Sequence, residues 1–245
     1  MAERDTAPPQ PDPGGSGLAR LLARVPFFAG LDADALVEIR GRGRPRRVEK
    51  GSCFFQQGEP AEALYVLLEG EVRLIQISPE GQRVPLHFVH PGEPFGGGPI
   101  MGHRTYPAEA EAMAPSFALR WDSATIQDLV DRHPLLARNM LKVVAARFAE
   151  LQDRFRELAT ERVERRVARV LLRLAAPYGK TTERGIRVEV PLSRQDLADT
   201  AGTTLSTVSR IVSRWESEGL VESGRGWILL ANPDALTAIA EETKA

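Results

Sequence analysis

Leu192-Ser-Arg-Gln-Asp-Leu-Ala-Asp-Thr-Ala-Gly202, followed by Thr203-Thr-Leu-Ser-Thr-Val-Ser-Arg-Ile-Val-Ser-Arg-Trp215, reads as two short helices hinged at a glycine. Ser193 is placed to cap the first helix, with Asp196 three residues on favouring the positive helix start. Leu197, Ala198 and Ala201 give that helix one apolar face, and Gly202 permits a sharp turn. At about 100° per residue, Val208, Ile211, Val212 and Trp215 share one side of the second helix. Ser206, Ser209, Arg210 and Ser213 fall on nearly the opposite side. Small hydroxyls around one arginine make a thin face that can enter a groove, and the guanidinium fork suits a guanine edge or a phosphate. After Gly219, residues 220–230 read as two strands around the turn Ser223-Gly-Arg-Gly226. Helix, turn, helix and a hairpin wing carrying Arg225 is the order of a winged helix-turn-helix that touches DNA.

Bulk composition neither demands nor forbids that reading. The net charge of the 245 residues is −1, and residues 160–231 hold 12 Lys plus Arg against 9 Asp plus Glu, an excess of +3. That fits a modest basic face. No apolar run approaches a membrane span, and residues 1–17 are polar and proline-rich without the apolar core of a secretory signal, so a cytoplasmic protein is the simplest expectation. The single cysteine, Cys53, excludes an internal disulfide and cannot alone hold an iron–sulfur cluster. Between two phenylalanines and a serine it reads as a buried, inert thiol.

Four segments follow from the texture of the chain. Residues 1–17 have the composition of a disordered tail. Residues 18–132 begin with helical character, broken at Pro26 and restarted at Asp32. From Arg46 to about Arg120 they turn to short apolar or alternating runs at 53–55, 64–68, 71–77, 84–89, 108–114 and 117–121, punctuated by glycines, which predicts a β jelly roll. Residues 133–159 form a long helix entered at His133-Pro134. Its stripe of Leu136, Met140, Val144, Phe148, Leu151, Phe155 and Leu158 predicts a first half packed on the roll and a second half paired with a twin, with Met140 to Leu158 as the dimer interface. Residues 160–245 are the DNA-binding domain, with Thr160 as a candidate cap and residues 175–187 as a loop or β-ribbon. The fold class is α+β.

Phe54-Phe-Gln-Gln-Gly58, Tyr65-Val-Leu-Leu-Glu-Gly-Glu-Val72, Ser78-Pro-Glu-Gly81, Pro91-Gly-Glu-Pro-Phe-Gly96 and Thr207-Val-Ser-Arg210 form a set of motifs that spans nearly everything after the tail. In these motifs the chain resembles the CRP/FNR family of bacterial transcription regulators. The resemblance implies a cyclic-nucleotide-binding-like sensor roll and a homodimer on a pseudo-palindromic duplex. It further implies that the long helix relays a sensed signal and that RNA polymerase is a partner. Arg210 matches the family's guanine-reading arginine and Ser209 the serine used at the base edge in the oxygen-sensing branch. Ser206 replaces a common glutamate, so a known half-site cannot be borrowed. Ser193, Thr203, Thr204, Thr207, Ser213, Arg214 and Arg225 complete the expected DNA-contacting set.

The departures concern the effector. Cyclic-nucleotide-binding relatives carry Phe-Gly-Glu and an Arg-Ser or Arg-Thr clamp; here Phe95-Gly96 precedes Gly97 and Gly98, and the clamp position reads Tyr106-Pro107-Ala108. A bidentate arginine–phosphate contact is not replaced by proline, which argues against cAMP or cGMP, with Arg104 as a weak substitute. Gly96, Gly97, Gly98, Arg104, Tyr106, Pro107 and Ala108 therefore bound a small, largely neutral pocket. The pattern resembles the branch of nitric-oxide and respiration regulators, which leaves open haem, with His103 as its ligand, another ligand, or none. His87 and His90, three apart in a strand, point to opposite faces and do not chelate one ion together. Two alternatives stand beside the regulator. One is a nucleotide-binding signalling module acting on a protein partner, which would lack the winged helix-turn-helix. The other is a metal-dependent jelly-roll enzyme, for which four scattered histidines supply no ligand cluster.

Overall fold

The computed structural model describes residues 22, 25–189, 193–224 and 226–241. The expected tail at 1–17 and the wing residue Arg225 lie outside them. The roll is built from β1 (Arg44–Val48), β2 (Ala63–Glu69), β3 (Val72–Ile77), β4 (Arg83–Val89), β5 (Pro94–Phe95), β6 (Glu109–Ala112) and β7 (Ser116–Asp122). One sheet runs β1-β7-β2-β5 and the other β4-β3-β6, with antiparallel pairing throughout.

The unbroken apolar run of β2 has a simple cause: both faces of that strand are buried. Tyr65 and Leu67 face the roll interior with Phe54, Phe55, Phe95 and Tyr106. Leu64, Val66 and Leu68 face the opposite way, toward Phe27, Phe28, Trp121 and a shell of helices. That shell comprises α1 (Ala33–Arg42), the short α2 (Gly98–Met101), α3 (Ser123–Arg132) and the start of α4 (Leu135–Thr160). Asp32 caps α1 by accepting from Ala35 N at 2.8 Å, as its position predicts. Asp122 caps α3 in the same way at 2.9 Å. Helix α3 has no counterpart in the sequence reading, and neither does α8 (Pro233–Glu241).

Four local expectations need correction. Residues 53–55 are not a strand; Cys53 makes one isolated bridge to Glu111 while both phenylalanines turn into the roll. Cys53 itself is only half-buried, and burial beside Glu109 and Glu111 pushes its thiol pKa up, which disfavours the thiolate. Thr160 ends α4 instead of capping the next helix. Its hydroxyl donates back to Arg156 O at 2.8 Å, and Arg162 holds the cap position of α5 (Val163–Tyr178). Met140 belongs to the core between α4 and the roll, so it is withdrawn from the dimer face.

The C-terminal domain follows α5 with β8 (Gly179–Thr182), β9 (Gly185–Val188), α6 (Arg194–Ala201), α7 (Leu205–Ser217), β10 (Val221–Gly224) and β11 (Trp227–Leu230). The ribbon expected at 175–187 thus begins one helical turn late. Its sheet runs β10-β11-β9-β8, and the wing hairpin closes with Gly224 opposite Trp227. Val167, Leu171, Leu197, Val208, Trp215 and Leu230 lie in one core, against which Phe88 of the roll also packs.

Candidate nucleic-acid interface and sensor pocket

Ser193 forms a complete capping box on α6: its hydroxyl accepts from Asp196 N, and its own N–H donates to Asp196 Oδ2. Gly202 ends α6 at φ +61°, a left-handed conformation that suits glycine. Thr204 then caps α7, accepting from Thr207 N at 3.3 Å, with its Oγ1 within 3.0 Å of the Ser206 and Thr207 hydroxyls. Val208, Ile211, Val212 and Trp215 are buried beneath the helix. The opposite face presents Ser206, Arg210 and Ser213 to solvent, flanked by half-buried Thr203, Thr207 and Ser209. These residues converge on one outward stripe.

Arg210 and Arg214 differ in kind. Among the described residues Arg210 has no hydrogen-bond or ion-pair partner and stands ready for an external acceptor. Arg214 is tied to Glu164 on α5 and lies 3.8 Å from Glu218, and the Glu164 hydrogen bond raises its pKa. Glu164 also accepts from the buried indole of Trp215 at 3.2 Å, so it anchors α7 from beneath. Sequence reasoning missed Arg194, which reaches Ser213 Oγ at 3.4 Å and Glu216 at 3.3 Å and so joins the stripe. Its place one residue after the Ser193 cap was the available signal.

An exposed apolar stripe runs along α4 from Leu141 to Leu158. Val144, Phe148, Leu151, Phe155 and Leu158 are exposed, and so is Leu141, which the sequence reading left out. The spacing 141, 144, 148, 151, 155, 158 alternates threes and fours, a heptad seam that would have found it. Leu158 also lies against the helix-turn-helix bend, where a Cβ on Gly202 would come 2.4 Å from its Cδ2.

The expected effector segment is filled by its own side chains. Tyr106 is buried, its hydroxyl donates to Ala63 O at 2.9 Å and accepts from Ala63 N at 3.0 Å, and its ring stacks on Phe55 with centroids 3.7 Å apart. Burial pushes the Tyr106 pKa up to about 12. Tyr65 and Phe95 make a second stack at 5.1 Å. Gly96 has φ +69°, and a Cβ there would meet the Phe55 and Tyr65 rings at 3.0 Å; a Cβ on Gly98 would come 2.6 Å from that of Ala61. Gly97, just before α2, and Ala108 are both buried, whereas Arg104 and Pro107 are exposed.

The histidines are dispersed. His87 pairs with Glu93 at 2.8 Å and Glu150 at 3.3 Å, His133 meets Glu38 at 3.0 Å, and exposed His103 follows α2. His90 meets the Tyr178 hydroxyl at 2.7 Å, and burial lowers its pKa. Among the described residues no group of three or more His, Cys, Asp or Glu is arranged to hold a metal ion.

The family profile described as a cyclic nucleotide-binding domain matches residues 45–133, and that described as a Crp-like helix-turn-helix domain matches residues 165–239. The chain belongs to the CRP/FNR family of transcription regulators. The CRP-like cAMP-activated global transcriptional regulator of Mycobacterium tuberculosis is 25% identical over 221 residues, covering 90% of this chain and 96% of that protein. The nitrogen fixation regulation protein FixK of Bradyrhizobium diazoefficiens is 29% identical over 86% of this chain and 88% of its own length. Among solved structures, a CRP/FNR regulator from Thermus thermophilus superimposes with a TM-score of 0.69 at 26% identity, covering 81% of this chain and 99% of that one. This CRP/FNR member is therefore a DNA-binding transcription regulator with a sensor-type roll and a helix-turn-helix reader, from a family of regulators and not of enzymes. No helix among its described residues is long and apolar enough to cross a membrane.

Proposed function

We propose that this regulator acts in the cytoplasm as a homodimer on a pseudo-palindromic duplex, with RNA polymerase as its downstream partner. The observation that carries the reading is the α7 stripe: Arg210, without a hydrogen-bond or ion-pair partner among the described residues, stands between Ser206 and Ser213 and is backed by buried Val208, Ile211, Val212 and Trp215. Arg210 reads a guanine edge, Ser209 assists at the base edge, and Ser193, Thr203, Thr204, Thr207 and Arg225 hold phosphates. Arg214 contributes only where a phosphate displaces Glu164. The heptad seam on α4 supplies a self-complementary surface for two-fold pairing.

The residues of the roll do not fit a cyclic nucleotide. A buried phosphate must be paired, and Tyr106 puts a phenol already bonded to Ala63 where a clamp would need an arginine. Haem, which the resemblance raises, would have His103 as its ligand beside α2, and an absorption spectrum recorded with added haem tests it. For the DNA reading, selection of bound duplexes from a random pool should return a two-fold site for the parent and no enriched site for Arg210→Ala. The same site recovered by both proteins would refute it.

A further inference from the structure

Helix α6 packs along β4 of the sensor roll, and its charged link to the roll is the carboxylate of Asp196. Asp196 divides its oxygens: Oδ2 accepts from Ser193 N at 2.9 Å and Ser193 Oγ at 2.6 Å, while Oδ1 accepts from Arg73 Nη1 on β3. Arg73 is buried, and its Nη2 donates to Glu111 on β6 at 3.0 Å. Arg83 completes the cluster at 2.7 Å from both Glu109 and Glu111. Three contacts surround this bridge. Phe88 packs into the winged core, Tyr178 meets His90, and Arg154 of α4 donates to Leu86 O at 2.7 Å, Pro85 O at 3.1 Å and Thr200 O at 3.5 Å.

The charges are arranged so that this joint can open. Without Asp196, the roll cluster still holds two arginines against two glutamates. Without Arg73, Asp196 still caps α6 at the positive end of its helix. Neither half is left with a bare buried charge, the condition that makes most buried pairs expensive to break. The joint also bears on the DNA side, because the carboxylate that Arg73 neutralises hydrogen-bonds the exposed Ser193 that the DNA reading sets against a phosphate. An unpaired aspartate there repels that phosphate.

We propose that Arg73 is an interdomain coupling residue: it holds α6 against the roll and neutralises Asp196, so that the state of the roll sets DNA affinity. The second half of this statement rests on the DNA reading above. The test uses the full chain with Arg73→Gln, Asp196→Asn, the double variant, and Arg83→Gln as a control that shares Glu111 with Arg73 but does not touch Asp196. Hydrogen exchange is followed in residues 84–90 and 193–200, and affinity is measured for a duplex selected by the parent. Arg73→Gln should raise exchange in both segments and weaken DNA binding by about fivefold or more, a typical coupling between sites. Arg83→Gln should leave both near the parent. Adding Asp196→Asn to Arg73→Gln should restore affinity, because the anion is gone, while exchange stays raised. Asp196→Asn alone leaves the roll cluster whole and should still raise exchange in residues 84–90, which keeps the test open if Arg73→Gln misfolds. Unchanged exchange in Asp196→Asn, or affinity that falls equally with Arg83→Gln, overturns the proposal. A parent that binds no duplex would defeat the DNA reading, with the exchange data still judging the docking.

Discussion

Replacing Phe155 by glutamate should turn a dimer into monomers without unfolding either domain. Phe155 is 74% exposed within the protomer. With about 200 Å² for a phenylalanine, roughly 150 Å² remains to be covered. At about 25 cal/mol per Å² that area contributes roughly 4 kcal/mol per protomer, or about 8 kcal/mol for the pair. Association must first overcome an estimated 4–15 kcal/mol of lost translational and rotational freedom, so a loss of this size decides the equilibrium. A glutamate also brings two like charges into one seam, which adds to the loss. Sedimentation velocity at micromolar concentration should show a monomer for Phe155→Glu and a dimer for the parent. The melting profile of the variant's domains should stay close to the parent's, since the side chain is mostly solvent-exposed in the protomer. Met140→Glu is the contrasting case: it buries a charge between α4 and the roll and should unfold the roll. A Phe155→Glu variant that remains dimeric, or a parent that is monomeric, refutes the seam.

Arg210→Ala should reduce affinity for the selected site by about 1–3 kcal/mol and relax one base position, with little change in melting temperature because the exposed guanidinium has no hydrogen-bond or ion-pair partner among the described residues. A binding titration on single-base variants of the site checks both effects. Calorimetry with cAMP or cGMP should show no saturable binding below about the millimolar range, weaker than roughly −4 kcal/mol; tight binding that raised DNA affinity would mean Arg104 supplies the clamp. Burial raises the pKa of Glu71 above its ordinary 4.5, so in the window just above that value the folded protein holds a proton the unfolded chain has released, and stability falls as pH rises. Glu71→Gln should abolish that decline and melt higher than the parent at neutral pH, with the difference vanishing below the ordinary carboxylate range. Parallel melting curves against pH for the two proteins would rule out the burial effect.

Local chemistry made much of this molecule legible. The Ser193–Asp196 box, the Gly202 bend and the 3.6-residue period of Val208, Ile211, Val212 and Trp215 require only nearest neighbours along the chain, and they led to the reader stripe before any fold was known. Asp32 as a cap and the strands at 63–69, 72–77, 83–89 and 116–122 follow from equally local signals. Helix α3 escaped because its apolar residues are few, Ile126 and Leu129 being its buried members, and only the roll beneath turns them into a face. Strand β1 escaped for a related reason: Arg-Pro-Arg-Arg carries no apolar alternation, and pairing with β7 alone makes it extended.

What the sequence by itself determined is the order and type of the parts: a glycine-punctuated roll, a long heptad-bearing helix and a winged helix-turn-helix with Arg210 outward. What only tertiary structure decided is which groups are already engaged. Met140 is lost to the roll, Arg214 is held by Glu164, Tyr106 is bonded to Ala63, and Arg73 meets Asp196 from 123 residues away. The physical reason is range. Periodicity and capping act within a few residues of one another, while burial and ion pairing depend on surfaces that meet only once the chain has folded.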